Sequence, residues 1–187
     1  MSAEDRVRWD KIYRQRQADP FPDPDPILYE YTPPAPEAVR SRALDLAAGL
    51  GQNGLWLAAQ GYQVDLVEIS RVALKRARAE MTMRNLRNLN LLQMDLDDLI
   101  LDREVYDVAC VFRYLKREVI PKLGDSVVPG GRVIYQTFNL RYLEIVPEFN
   151  RAFLLDPGEL RGFFPGWQII HHSEDDHISQ LVGRKPE

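Results

Sequence analysis

The chain has 187 residues, 45% apolar and 28% charged, which suits one soluble domain with a sizeable core. No apolar run reaches the roughly 20 residues a bilayer span needs, the start MSAEDRVRWDKIYRQR carries no signal-peptide core, and the single Cys110 cannot form an internal disulfide, so a cytoplasmic protein without a membrane partner is expected. A net charge of -4 weighs against a nucleic-acid partner. The arginines from Arg71 to Arg87 lie opposite Ala73, Leu74, Ala77 and Met81 on a helical pattern and read as a solvated face. In chain order, Ser2 to Gln17 reads as a helix, with Ser2 and Asp5 at its cap and Trp9, Ile12 and Tyr13 on one face. The following stretch, DPFPDPDPILYEYTPPAP, has too many fixed φ angles for a regular helix or central strand. It reads as an extended arm, ordered if Phe21, Ile27, Leu28, Tyr29 and Tyr31 find something to pack on.

From Arg42 the pattern changes to alternating strands and helices. ALDLAA is a strand ending in glycines, a short helix runs from Gly54 to Gln60, and QVDLVEI is the second strand. Ser70 caps a long helix, LNLLQMD and YDVACVF are the third and fourth strands, and a helix containing Pro121 leads through VVPGG to a fifth, RVIYQTF. Such alternation implies a parallel sheet with right-handed crossovers. Asp156-Pro157-Gly158-Glu159 reads as a helix start. WQIIHH and HISQLVGRK, separated by SEDD, are too close for a crossover helix and must pair antiparallel as a hairpin. The organisation expected is an N-terminal helix and proline-rich arm over residues 1–39, packing over the functional site, and a domain over 40–187.

Gly49-Leu50-Gly51-Gln52-Asn53-Gly54 matches G-x-G-x-x-G between a strand and a helix. Glycines admit close backbone approach, and a helix N-terminus offers free N–H groups to an anion. That anion is a dinucleotide pyrophosphate or an amino-acid carboxylate, and Glu68 at the end of the second strand suits ribose hydroxyls in both cases. Three features separate the two. Asp45, in the strand before the turn, suits the ammonium of an amino-acid ligand or caps the turn itself. Asp95 closes the third strand, within reach of an adenine amino group, although Asp97 and Asp98 also fit a solvated acidic loop. The sheet ends in a hairpin.

With these residues in view, LDLAAGLGQNGLWLA, VEIS, QMDLDDL and VVPGGRVIYQTF resemble successive motifs of class I S-adenosylmethionine-dependent methyltransferases over residues 40 to 185. Trp9 and Tyr13 before the domain, RYLKREVIP after the fourth strand and FLLDPGEL near the end resemble the small tellurite-resistance and thiopurine methyltransferase branch. The resemblance implies a Rossmann-like, doubly wound α/β fold: a mostly parallel seven-stranded sheet, helices on both faces, and a C-terminal antiparallel hairpin. It also implies S-adenosylmethionine as cofactor, with S-adenosylhomocysteine as product and no metal, held by Asp45, Ala47, Gly49, Gly51, Asn53, Glu68, Ile69, Asp95, Leu96 and Phe112. Ala48 and Leu50 depart from the relatives' Cys or Gly and Thr.

Methyl transfer from a sulfonium requires alignment and exclusion of water more than it requires a catalytic dyad. No Asn/Asp-Pro-Pro-aromatic run follows the fourth strand, where Phe112-Arg113-Tyr114-Leu115 stands. Cys110 follows Ala109 inside a strand and reads as a buried small hydrophobe. These absences point to a small-molecule acceptor, plausibly a thiol, selenium or tellurium species. Trp9, Tyr13, Arg113, Tyr114, Arg117 and Arg151 are its candidate contacts. Trp9 and Tyr13 equally suit packing on the core, and Arg117 equally suits pairing with a neighbouring acid. The stretch from Asn139 to Leu154 reads as the cover on the acceptor side. His171, His172 and His177 read as surface residues. A cofactor-binding protein without turnover and, more remotely, a nicotinamide-dependent oxidoreductase are the alternatives. The sequence does not choose between a monomer and a homodimer.

Overall fold

A computed structural model describes residues 3–35 and 41–187. Ser2, the expected first cap, and residues 36–40, where the arm meets the domain, lie outside the described residues. The chain forms two compact units, Met1–Ile100 and Leu101–Glu187.

The first unit holds three parallel strands, β1 (Arg42–Leu46), β2 (Gln63–Glu68) and β3 (Leu89–Gln93), in register Leu46 to Val67 and Glu68 to Gln93. Ala43 to Leu46 and Val64 to Glu68 are buried at every position, the mark of strands covered on both faces. Helix α1 spans Ala3–Gln15, with Glu4 and Asp5 in its first turn and Arg14 in its last, each favoured by the helix dipole. Two crossover helices follow, α3 (Gln52–Ala59) and α4 (Arg71–Met83), the latter capped by Ser70. Helix α3 begins two residues before the expected start because Gly51, at φ 82°, takes the left-handed cap position.

The proline arm differs from the extended reading. Pro26–Tyr31 is a helix, α2, because Asp25 accepts from the Ile27 N–H and Pro26 sits where a missing N–H costs nothing. The arm's apolar residues do find partners. Ile27 and Leu28 are buried, Tyr29 stands edge-on to Trp56 at 5.1 Å, and the Arg84 guanidinium lies over the Phe21 ring at 5.3 Å. The Tyr62 hydroxyl donates to the Pro33 carbonyl at 2.6 Å.

The second unit contains β4 (Tyr106–Phe112), α5 (Val119–Ser126), β5 (Val127–Phe138), a four-residue helix α6 (Glu159–Gly162), β6 (Gln168–Ser173) and β7 (Ile178–Arg184). Strands β4 and β5 are parallel, and β7 runs antiparallel to both β5 and β6. The Pro-Gly-Gly segment at 129–131 is a bulge inside β5 instead of a turn before it: the register jumps from Tyr106–Val127 to Val108–Arg132. The helix expected from Asp156 starts only at Glu159, with Gly158 at φ 73° as its cap. The strands form one seven-stranded sheet in the order β3-β2-β1-β4-β5-β7-β6. The fold is therefore α/β, Rossmann-like and mostly parallel, closed by the antiparallel hairpin.

Candidate functional site

Beyond the end of β1 the backbone turns sharply, with Ala47, Gly49 and Gly51 all at positive φ (54°, 59° and 82°). A Cβ on Gly51 would lie 2.6 Å from Leu66 Cδ1 and 3.2 Å from Ala77 Cβ, so close packing of the turn on β2 and α4 demands that glycine. Asp45 is 1% exposed and its Oδ2 accepts from the Gly54 N–H at 2.7 Å, the turn-capping role.

Glu68 ties the end of β2 to the same turn. Its Oε2 accepts from the Gly49 N–H at 2.8 Å and its Oε1 from the Ser70 N–H at 2.7 Å. Burial pushes its carboxyl above the usual range, opposed by N–H groups of Ser70, Gly49 and Ile69, with the nearby Asp10 carboxylate adding to the rise. A carboxylate has about four lone-pair sites, so the hydrogen bonds from Gly49 and Ser70, with the Ile69 N–H also directed at it, still leave acceptor capacity for a ligand hydroxyl.

Helix α1 reaches this carboxylate's two donors. Asp10 Oδ1 accepts from the Ser70 hydroxyl at 2.7 Å and from the Val72 N–H at 3.1 Å. Tyr13 is aimed at Gly49: a Cβ added there would come within 2.8 Å of its Oη. Burial, with Glu68 nearby, raises the Tyr13 hydroxyl well above a free phenol and keeps it protonated. Trp9 stacks beside Tyr13 with ring centroids 5.9 Å apart.

The remaining residues on this unit have assigned local work. Asn53 is 2% exposed, and its Oδ1 accepts from the Asp25 N–H at 2.8 Å, anchoring the arm. Ile69 and Leu96 are buried. Asp95 caps the short turn after β3, accepting from the Asp97 N–H at 2.9 Å.

On the second unit, Phe112 ends β4 half-buried and Arg113 follows at φ 55°, exposed, its N–H bonded to the Gln136 carbonyl at 2.7 Å. The Tyr114 carbonyl accepts from the Tyr135 hydroxyl at 2.8 Å. Arg117 has a structural assignment: both carboxylate oxygens of Glu159 and the carbonyls of Ala152 and Leu154 receive its donors. That fixes the 139–154 segment, where Tyr142 also stacks on Phe138 (4.1 Å) and meets Phe149 edge-on (5.0 Å). Arg151 is exposed. His172 and His177 lie beside Glu174 and Asp176 of their own hairpin (3.4 and 2.9 Å), and His177 also stacks on Phe138 at 6.3 Å. No group of three or more metal-binding side chains occurs among the described residues. Cys110 is fully buried.

The model of the tellurite resistance protein TehB family matches residues 35–182, most of the chain. The chain belongs to the TehB family. It thereby falls within the class I S-adenosylmethionine-dependent methyltransferases, whose solved structures it resembles in fold. An S-adenosylmethionine-dependent methyltransferase from Mesorhizobium loti superposes with a TM-score of 0.68 at 18% identity, covering 86% of this chain and 96% of that one. TehB from Haemophilus influenzae gives 0.68 at 16%, covering 85% of this chain and 60% of that one. Phosphoethanolamine N-methyltransferase 2 from Haemonchus contortus, in complex with S-adenosyl-L-methionine, gives 0.73 at 14%, covering 95% and 57%. None of the curated proteins compared with it is a significant sequence match.

For a TehB-family cofactor the residues of the first unit fit. Gly49 and Glu68 supply a backbone turn and a part-occupied carboxylate at the carboxyl ends of β1 and β2. One residue that matters here escaped the motif reading, Asp10, and Ser70 was read only as the cap of α4. The signal for Asp10 lay in its spacing from Tyr13, three apart on α1 and therefore on one face. Glu159 was read as part of a helix start, and nothing local in the sequence pairs it with Arg117.

Proposed function

We propose that the protein transfers a methyl group from S-adenosylmethionine to a small-molecule acceptor, with a sulfur, selenium or tellurium nucleophile as the favoured class. The observation that carries this reading over a nicotinamide-dependent oxidoreductase is β7, antiparallel between β5 and β6. Dinucleotide-binding sheets continue in parallel through their sixth strand. The family's name, tellurite resistance protein, supports the acceptor class. A cytoplasmic location goes with the reading and with a single cysteine, Cys110, that is buried.

Bound adenosylmethionine supplies a methyl group already activated on a sulfonium. An acceptor lone pair forms the new bond to the methyl carbon as the carbon–sulfur bond breaks, leaving adenosylhomocysteine as a neutral thioether. A thiolate or a chalcogen oxyanion needs no base, so the chain's part is to hold, orient and keep out water. In this reading Glu68 takes the ribose hydroxyls, Gly49 carries the methionine end, and Asp95 with Leu96 flanks the adenine. Asp45 holds the turn from within. Of the arginines, Arg113 and Arg151 stay available for an anionic acceptor, while Arg117 does not.

Calorimetry with adenosylhomocysteine and NADH tests the cofactor. Adenosylhomocysteine should bind and NADH should not; the reverse result would defeat the reading. Glu68→Ala should weaken binding by about 1–3 kcal/mol through lost charged hydrogen bonds. Glu68→Gln keeps one oxygen for a backbone N–H and should lose less. Incubation with labelled adenosylmethionine and a thiol, selenite and tellurite panel then tests turnover. Binding without turnover on any acceptor would reduce the protein to a cofactor-binding one.

A further inference from the structure

The geometry points to Asp10 as a positioning residue for the cofactor: from α1 it completes a clamp on the two residues that hold Glu68, and so sets how long a ligand on Glu68 is retained. This rests on the cofactor reading above. The two N–H groups on the Glu68 carboxylate come from Gly49 and Ser70. Helix α1 touches each of them separately, Tyr13 at Gly49 and Asp10 at Ser70. Asp10 and Tyr13 stand three residues apart, the spacing that places two side chains on one helix face. One rigid helix therefore bears on both donors of one carboxylate.

Capping of α4 does not by itself account for Asp10. Ser70 already caps that helix through its own Oγ, which accepts from the Ala73 N–H at 3.2 Å. What Asp10 adds is a tie between α1 and Ser70, with a second bond to the Val72 N–H. The Arg14 guanidinium stands 3.9 Å away on the same helix, too far and too exposed to hold the carboxylate in place. With α1 docked, Glu68 is only 6% exposed. On this proposal the hold of α1 on Ser70 is what slows the loss of a ligand hydroxyl from Glu68. The far end of the helix is fastened independently, by Arg76 donating to the Arg16 and Asp19 carbonyls at 2.8 and 2.9 Å. That separates loosening of α1 in general from release at Ser70.

The test uses the whole chain and adenosylhomocysteine, with association and dissociation rates from stopped-flow or surface binding. Asp10→Ala should raise the dissociation rate about tenfold or more, the loss expected for a charge-assisted pair of bonds, without slowing association. Asp10→Asn keeps an acceptor oxygen without the charge and should fall between. In a Ser70→Ala background, where the bond from Ser70 to Asp10 is already gone along with the α4 cap, Asp10→Ala should speed dissociation less than it does in the wild type, since only its Val72 bond is left to lose. Arg76→Ala should change dissociation less than about twofold. Dissociation from Asp10→Ala within twofold of wild type, or equal acceleration by Arg76→Ala, overturns the proposal. Amide exchange on the ligand-free protein gives the independent reading. Asp10→Ala should expose the Gly49, Ser70 and Val72 amides, and unchanged exchange there would remove the clamp. Failure of the wild type to bind adenosylhomocysteine would instead sink the cofactor reading, and is seen in a different sample.

Discussion

The carboxyl ends of β1 and β2 and those of β4 and β5 both carry buried or half-buried charge, yet they are held in different ways. At the first, carboxylates grip backbone: Asp45 on the Gly54 N–H nine residues away, Glu68 on the Gly49 N–H nineteen away. At the second, a side-chain pair spans the chain, Arg117 reaching forty-two residues to Glu159, and aromatic stacking holds the rest. A turn whose N–H groups are held by two buried carboxylates keeps its shape while the other side chains around it change. A cover fixed by one ion pair and three rings changes shape when any of them changes. The first arrangement suits the proposed cofactor, and the second suits the proposed acceptor side.

The sharpest way to break this contrast is at the glycines of the first region. Gly51→Val puts a branched side chain where a Cβ alone already meets Leu66 at 2.6 Å, in a left-handed backbone. Overpacking and strain together should cost about 3 kcal/mol or more, read as a fall in the urea midpoint or as failure to fold. The loss belongs to the core and not to a crowded ligand, which is where the motif alone would have located it. Gly49→Ala meets only the Tyr13 hydroxyl end, so its stability cost should be about 1–2 kcal/mol. Equal costs would show that the turn is not packed as described.

In the second region, Arg117→Ala should cost about 1–2 kcal/mol, discounted for partial exposure, and should free the 139–154 cover. Limited proteolysis within that segment should quicken; unchanged cleavage would mean that the stacked rings suffice. The same pair gives a signature in pH. The Arg117 guanidinium holds the Glu159 carboxyl below its ordinary value of 4.5. A depressed folded pKa contributes stability that is complete above the unfolded value and is lost as pH falls through the folded one. Arg117→Ala should therefore flatten the acid limb below about pH 4.5. Glu68 runs the other way: burial raises its folded pKa above 4.5, so its contribution declines as pH rises from the unfolded value to the raised one. Glu68→Gln should remove that opposing slope. A flat acid limb in the wild type would break the comparison.

What was legible follows the same division. The parallel strands, the glycine turn, Glu68 and the terminal hairpin were readable because their signals are local: period, turn chemistry, a loop too short for a crossover. The arm's helix was hidden because seven prolines mask one Asp25 cap with Pro26 behind it. Asn53 looked exposed to a ligand in the motif, yet Asp25 takes it from 28 residues away. Arg117 suited an anion or a neighbouring acid equally, and the acid that claims it, Glu159, stands 42 residues away. For Asn53 and Arg117 the deciding contact is distant in sequence, whereas the arm's helix rests on a local cap that the prolines obscure.

The smallest expected effect tests whether strain in the two regions has the same use. Ala47 follows β1 at φ 54° and Arg113 follows β4 at φ 55°, a left-handed conformation that costs a residue with a Cβ about 1 kcal/mol. Ala47→Gly should relieve that strain, partly offset by the greater freedom glycine has in the unfolded chain, for a net gain of about 0.5 kcal/mol. Adenosylhomocysteine affinity should stay the same, because Ala47 contributes backbone to the turn. Arg113→Gly should gain similar stability but lose an exposed guanidinium proposed for the acceptor, so turnover should fall while cofactor affinity holds. Stability measured by denaturant midpoints, set beside KM for the acceptor, separates the two. If Ala47→Gly destabilises, the turn at β1 depends on its side chain after all, and the view of it as a backbone-built site fails.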